Sequence, residues 1–224
     1  EYDLSVLAIV NAYGVLLGRI TSDDIYDIIQ DEATEQMYNL AGVDDEAEED
    51  DEILQAGKKR ATWLGLNLLT AIVASFVIGM FSDTLQSMVA LAILMPIVAS
   101  MGGNAGTQSL TVVVRQLALG DISQGDAMRI IKKETTIALA NGIVFAIIMG
   151  TIAFLWFDVK LLGVVIALSM IINLLAAGLF GAVVPLFLKK LDVDPAIGST
   201  VILTTVTDVV GFLSFLGLAT LILL

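Results

Sequence analysis

Five long apolar runs dominate the chain and set the terms for its fold. They extend from about Ala61 to Phe81, from Leu85 past Met101, from about Thr135 to Phe157, from Leu161 to Leu188, and from about Ala196 to Leu224. A hydrocarbon core about 30 Å thick takes roughly 20 apolar residues of helix, so each run is long enough to cross it. Lipid offers no hydrogen bonds to an open backbone, which restricts spanning segments to helices or closed barrels. Barrel strands are about half as long and alternate polar with apolar residues; these runs do not alternate. The expectation is an all-α membrane protein with five transmembrane helices per subunit, embedded in a lipid bilayer. An apolar content of 57%, above the ~45–50% of soluble domains, agrees.

Charge divides the chain in two. Residues 1–60 hold sixteen acidic residues against four basic ones, Arg19, Lys58, Lys59 and Arg60, whereas the remainder holds eight acids and seven bases. An acidic head thus precedes a nearly neutral apolar body. No basic face exists for nucleic acid. Cys and His are absent, which removes disulfides, thiolate and imidazole metal sites, and catalysis by either residue. Glu1 comes first with no signal peptide ahead of it, so the chain is expected to start inside a domain. With the head in the cytoplasm, Lys58, Lys59, Arg60, Arg115, Arg129, Lys132, Lys133, Lys189 and Lys190 all fall on the inner side, against Lys160 alone outside. The positive-inside rule then predicts a multi-pass protein of the cell (inner or plasma) membrane, with its N-terminal part cytoplasmic and its C-terminus outside.

Within the head, residues 5–11 read as a strand, Asn11 to Gly14 as a turn and Val15 to Thr21 as a second strand. Thr21 or Ser22 caps a helix that carries Asp23 and Asp24 in its first turn, and Ile25, Ile28, Ile29, Met37 and Leu40 share one of its faces. This ββα unit is too small to bury a core alone and is expected to complete a larger domain. Asp44 to Glu52 has eight acids in nine residues. It fits a solvated linker, or a face that packs only once divalent cations neutralise it.

The second apolar run has an unusual interior. From Leu85 to Leu119 its only charge is Arg115, and as a helix it would be roughly 50 Å long. Inside lies Gly102-Gly103-Asn104-Ala105-Gly106-Thr107-Gln108. Three glycines and two amides in an apolar run imply a break or a close backbone approach. The motif fits small-residue helix packing, and it also fits the lining of a polar path, where amides at depth meet water or protein.

Asp208 is the most informative single residue. It lies twelve residues after Ala196 and sixteen before Leu224, which places it near mid-membrane on a straight helix. A charge there costs ~2.5–3.5 kcal/mol on insertion scales and usually marks an ion path or relay. Thr200, Thr204, Asp208 and Gly211 are spaced by four, four and three, so they share one helical face. A protonated Asp208 bonded to another helix is the structural alternative. An all-oxygen stripe without His or Cys suits a hard cation such as Mg2+. Because Mg2+ sheds water reluctantly, such a pore would pass it largely hydrated. A second copy of the chain across a two-fold axis could supply a facing Asp208.

These residues resemble the MgtE family of magnesium channels and transporters. The likeness rests on Pro96 through Gln108, on Asp194-Pro195 followed by Thr204 and Asp208-Val209-Val210-Gly211, and on the ββα head with Glu32-Ala33-Thr34-Glu35, similar to the end of a second cystathionine-β-synthase (CBS) domain. The resemblance implies a homodimer with its pore on the two-fold axis, lined chiefly by the second and fifth spans. Asp208 then holds hydrated Mg2+, and Thr200, Thr204, Gly211, Gly102, Gly103, Asn104, Gly106 and Gln108 line the path. It also implies gating by cytosolic Mg2+, with Asp24, Asp27, Glu32 and Glu35 at acidic sensor positions and Asp194 at one beside the membrane mouth. The domains would be residues 1–43, the end of a CBS domain, 44–58, an acidic linker or plug helix, and 59–224, the transmembrane domain. The family's N-terminal helical domain and first CBS domain have no counterpart here, which implies that these residues conduct but gate poorly.

A Mg2+-selective channel gated by cytosolic Mg2+ is therefore the leading expectation. The alternative is a proton-coupled divalent-cation carrier that uses Asp208 as its proton site. An enzyme is not expected, since lipid chemistry at a metal needs several cooperating carboxylates and only Asp192 and Asp194, beside Lys189 and Lys190, come close. A bare membrane anchor would leave the Asp208 stripe unexplained.

Overall fold

Asn11 starts the chain's first reversal: its Oδ1 accepts the N–H groups of Tyr13 at 2.9 Å and Val15 at 3.0 Å. Gly14 completes the turn at φ 78°, in the left-handed region that glycine adopts freely. The flanking strands β1 (Val6–Val10) and β2 (Leu16–Thr21) pair antiparallel, with Val6 opposite Thr21. Helix α1 (Ser22–Leu40) follows, with Thr21 as its N-cap. The Asp24 carboxylate accepts both the Thr21 N–H at 2.7 Å and the Thr21 hydroxyl at 2.6 Å. Those bonds to the Thr21 hydroxyl and backbone hold the Asp24 carboxyl below the ordinary carboxylate range. Leu7, Leu17, Ile25, Ile28 and Ile29 stay exposed, so the ββα unit does not cover its own apolar face.

The computed structural model describes residues 5–41, 53–120, 122, 125–196 and 198–224, the side chains of Glu32 and Gln36 excepted. The acidic run from Asp44 to Glu52 lies outside the described residues. After it come α2 (Ile53–Gly79), α3 (Ser82–Ser87), α4 (Val89–Ala118), α5 (Ala127–Phe157), α6 (Lys160–Lys190) and α7 (Ser199–Leu223). All but α3 are long and apolar enough to cross a membrane, which gives the five spans expected. Helix α2 runs unbroken across the boundary placed at residue 58. Extended backbone at Met88 separates the short α3 from α4, so the second span starts at Val89.

The spans reverse direction at residues with unusual backbone. Asp158 ends α5 at φ 54° and Gly198 opens α7 at φ 74°. The bundle has a head end, nearest α1, and a far end opposite. Helix α6 is the centre: fourteen of its 31 residues are buried, against Ala74 alone in α2. It packs on α4, α5 and α7, while α2 lies against α7. Lipid gives helices no hydrophobic reason to associate, so close backbone approach carries the packing. A Cβ on Gly163 would lie 2.6 Å from the Gly150 carbonyl oxygen, and one on Gly181 2.8 Å from that of Gly106. Leu91, Leu94, Val98, Leu162, Ile166, Phe215 and Leu216 fill the core toward the far end. A smaller cluster of Leu110, Val114, Ala196 and Leu203 takes in Leu40 of α1 at the head end.

Candidate functional site

Helix α4 is continuous through Gly102–Gln108, so the glycines make no break, and Gly102 and Gly106 serve close approach. Gly102 and Gly106 are buried on the side facing the bundle. A Cβ at Gly106 would lie 3.0 Å from Leu203 of α7. On another side of α4, Ser100, Asn104, Thr107, Gln108 and Thr111 are exposed. Their spacing of four, three, one and three puts them on one face. Asn104 donates from Nδ2 to the Ser100 hydroxyl at 3.3 Å. Gly103 borders this face with open space where a side chain would go.

Helix α7 carries the second polar track. Asp208 is half-buried, about 14 Å along a helix about 38 Å long. It has no hydrogen-bond or ion-pair partner among the described residues. Thr204 is exposed and returns its hydroxyl to the Thr200 carbonyl at 2.8 Å, while Thr205 and Thr207 bond Val201 and Thr204. These hydroxyls are thus satisfied within their own helix and keep lone pairs for another partner. Thr200 donates to the main-chain carbonyl of Leu40 at 3.0 Å. Gly211 is buried against Asn173 of α6. A row of amides, hydroxyls and one carboxylate is costly against lipid, and lipid-facing helices do not carry such rows. These faces belong against water or further protein.

Among the described residues the head-end carboxylates do not gather: no three acidic side chains stand together as a metal cage. Asp24 is occupied with Thr21, Asp27 is exposed, and the side chain of Glu32 lies outside the described residues. Glu35 is half-buried on α1. Asp194 uses Oδ1 to accept the Ala196 N–H at 2.8 Å. It lines a cleft of about 340 Å³ with Asp192, Lys189, Val114 and Leu117, where two carboxylates and one ammonium meet an apolar wall.

Two polar side chains that carry weight escaped the sequence reading. Glu134 of α5 is 6% exposed and accepts the Ser109 hydroxyl of α4 at 2.9 Å. Placed after Lys132-Lys133, it reads as part of a basic loop. Its four-residue spacing to Ala138, Gly142 and Ala146, all buried, is the signal for its inward position. Asn173 of α6 is fully buried and donates from Nδ2 to the Val98 carbonyl at 2.7 Å. Ser169, Asn173, Ala177 and Gly181 recur every four residues along the buried face, a small and polar stripe on the central helix.

Five bilayer-length helices, two of which expose amides, hydroxyls and a carboxylate along their length, define a multi-pass membrane domain. The chain belongs to the MgtE family: its family profile, described as divalent cation transporter, matches residues 95–218. It is 34% identical over 220 residues to the magnesium transporter MgtE of Bacillus subtilis, covering 98% of this chain and 49% of that protein. Against the magnesium transporter MgtE of Thermus thermophilus it is 34% identical over 225 residues, covering 100% and 50%. The corresponding protein of Enterococcus faecalis is 33% identical over 219 residues, covering 98% and 48%. The chain spans about half the length of these curated relatives.

Proposed function

We propose that this chain forms the conducting part of a Mg2+ transporter, with Asp208 as the residue that holds the ion in transit. The observation that carries the reading is the half-buried Asp208, well inside α7 and without a cationic partner among the described residues. A carboxylate at that depth keeps its charge only beside water or a cation. The names of the relatives, magnesium transporters at about a third identity, supply the ion. Mg2+ passes with water attached, since it dehydrates reluctantly, and the carboxylate and the exposed amides and hydroxyls act through that water.

The same reading assembles two copies about a two-fold axis. The exposed polar faces of α4 and α7 meet there, so that Thr200, Thr204, Asn104 and Gln108 border the path, while Gly102, Gly106 and Gly211 bring the helices close enough to form its wall. The head belongs to a larger cytosolic CBS domain, which accounts for its uncovered apolar face. Cytosolic Mg2+ gates the path by collecting on Asp24, Asp27, Glu32, Glu35 and Asp194 together with ligands from outside the described residues. The N-terminal part is cytoplasmic and the C-terminus faces out, as the basic residues direct.

Uptake tests the proposal. At matched membrane abundance, Asp208→Ala lowers Mg2+ uptake by at least about tenfold, and Asp208→Asn separates charge from hydrogen bonding. Wild-type uptake by Asp208→Ala refutes the assignment. Flux that follows an imposed pH gradient and not the Mg2+ gradient and voltage makes the protein a proton-coupled carrier.

A further inference from the structure

Asn173 sits where three helices meet. Its Nδ2 donates to the Val98 carbonyl of α4 at 2.7 Å. A Cβ added at Gly102 of α4 would lie 2.3 Å from that nitrogen, and one at Gly211 of α7 would lie 2.8 Å from it. Two separate glycines therefore leave room for one amide lent by α6. Asn173 is 0% exposed, and its Oδ1 has no hydrogen-bond partner among the described residues. A leucine, with the same branching at Cγ, would bury no orphan acceptor there. Retention of the amide points to a task beyond filling space.

The two helices that meet at this amide are the ones with the polar tracks. Gly102 lies two residues from Asn104, and Gly211 lies three from Asp208. We propose that Asn173 is a positioning residue: it sets the spacing between α4 and α7, and through that spacing the width of the ion path and its preference for Mg2+ over larger cations. The proposal rests on the reading that α4 and α7 border the path. The amide is short, with two side-chain torsions, and its bond to Val98 prevents it from swinging aside. Approach of α7 toward α4 stops at its carboxamide, which the bond to Val98 holds against α4. A hydrated ion is recognised by the size of its water shell, so a wall of fixed spacing discriminates and a relaxed wall does not.

The test is a cycle of wild type, Gly102→Ala, Asn173→Ala and the double variant, joined by Asn173→Leu. Each full-length protein is reconstituted in vesicles and assayed for Mg2+ and Ca2+ influx, and its thermal midpoint is measured in detergent. Gly102→Ala is expected to cut Mg2+ influx about tenfold, and the double variant to recover to within about threefold of Asn173→Ala. Asn173→Ala and the similarly branched Asn173→Leu are both expected to lower the Mg2+ to Ca2+ influx ratio about threefold or more. The proposal is overturned if the double variant is as impaired as Gly102→Ala, or if both Asn173 variants keep the wild-type ratio. Asp208→Asn and Asp208→Ala run in parallel keep the two readings apart. Full transport by both would remove the path reading, while a thermal midpoint lost in Gly102→Ala and regained in the double variant would still report the contact. Additive midpoints together with transport lost in the Asp208 variants would remove the Asn173 proposal alone.

Discussion

The Thr200 hydroxyl donates to the main-chain carbonyl of Leu40 at 3.0 Å, joining the last turn of α1 to the first turn of α7. The final carbonyls of a helix lack partners within it, and Thr200 supplies one from another element. Leu40 also packs against Leu110, Val114, Ala196 and Leu203. The head thus grips the helix that carries Asp208, two turns before that residue.

Thr200→Val keeps the side-chain shape and removes this bond. A hydrogen bond contributes about 1 kcal/mol net, which corresponds to roughly fivefold in a local opening equilibrium. Hydrogen exchange followed by mass spectrometry should accelerate by about that factor at Met37–Ala41 and leave the middle of α6 unchanged. Equal exchange in both proteins would remove Thr200 as the link.

Glu134 offers a test of the bond between α4 and α5. Glu134→Ala strands the buried Ser109 hydroxyl and should cost about 1–3 kcal/mol. Glu134→Gln keeps an acceptor and should cost less. Thermal midpoints of the purified protein in detergent give the order wild type, Gln, Ala; an Ala variant as stable as Gln would show that Ser109 is satisfied elsewhere.

Two glycines separate packing from exposure. A Cβ at Gly163 meets the Gly150 carbonyl oxygen at 2.6 Å, whereas a Cβ at Gly103 meets nothing within 4 Å. Gly163→Ala should therefore destabilise the bundle by about 1–3 kcal/mol. Gly103→Ala should leave the midpoint unchanged or slightly raised, because alanine favours helix. Equal effects at the two positions would contradict the packing of α5 on α6.

Much of this architecture was legible in the residues because its causes are local. Long apolar runs demand helices in lipid, and Asn11, Gly14 and Thr21 mark a turn and a cap by chemistry confined to a few residues. Asp208 stood out because a charge in such a run is rare. What escaped depends on which helix meets which. Gly102 reads equally as path lining or as packing, and Gly211 as part of the polar stripe, until Asn173 is placed between them, and Asn173 itself looks like one more residue in an apolar run. Glu134 was hidden by its basic neighbours. The short α3 merges into the second run in sequence and parts from it only at the extended Met88.

The Asp24 cap predicts a pH dependence of the head. Its bonds to Thr21 favour the ionised carboxylate and hold the folded-state pKa below the ordinary value. Its contribution is fully present above the ordinary carboxylate pKa and is lost as pH falls through the depressed folded value. Acidification through and below the ordinary carboxylate range should therefore raise hydrogen exchange in the first turn of α1. In Asp24→Asn that acid-dependent part should vanish. A first turn with the same pH response in both proteins would show that Asp24 does not carry the effect.

The central claim is that a hydrated divalent cation rests against Asp208. Mn2+ accepts the same oxygen ligands as Mg2+ and scatters anomalously, so crystals of the full-length protein grown with Mn2+ test the claim directly. An anomalous peak is expected roughly 4–5 Å from the Asp208 carboxylate, the distance of a cation held through one water, and it should be lost in Asp208→Ala. Mn2+ peaks elsewhere in the protein with none beside Asp208 would contradict the claim.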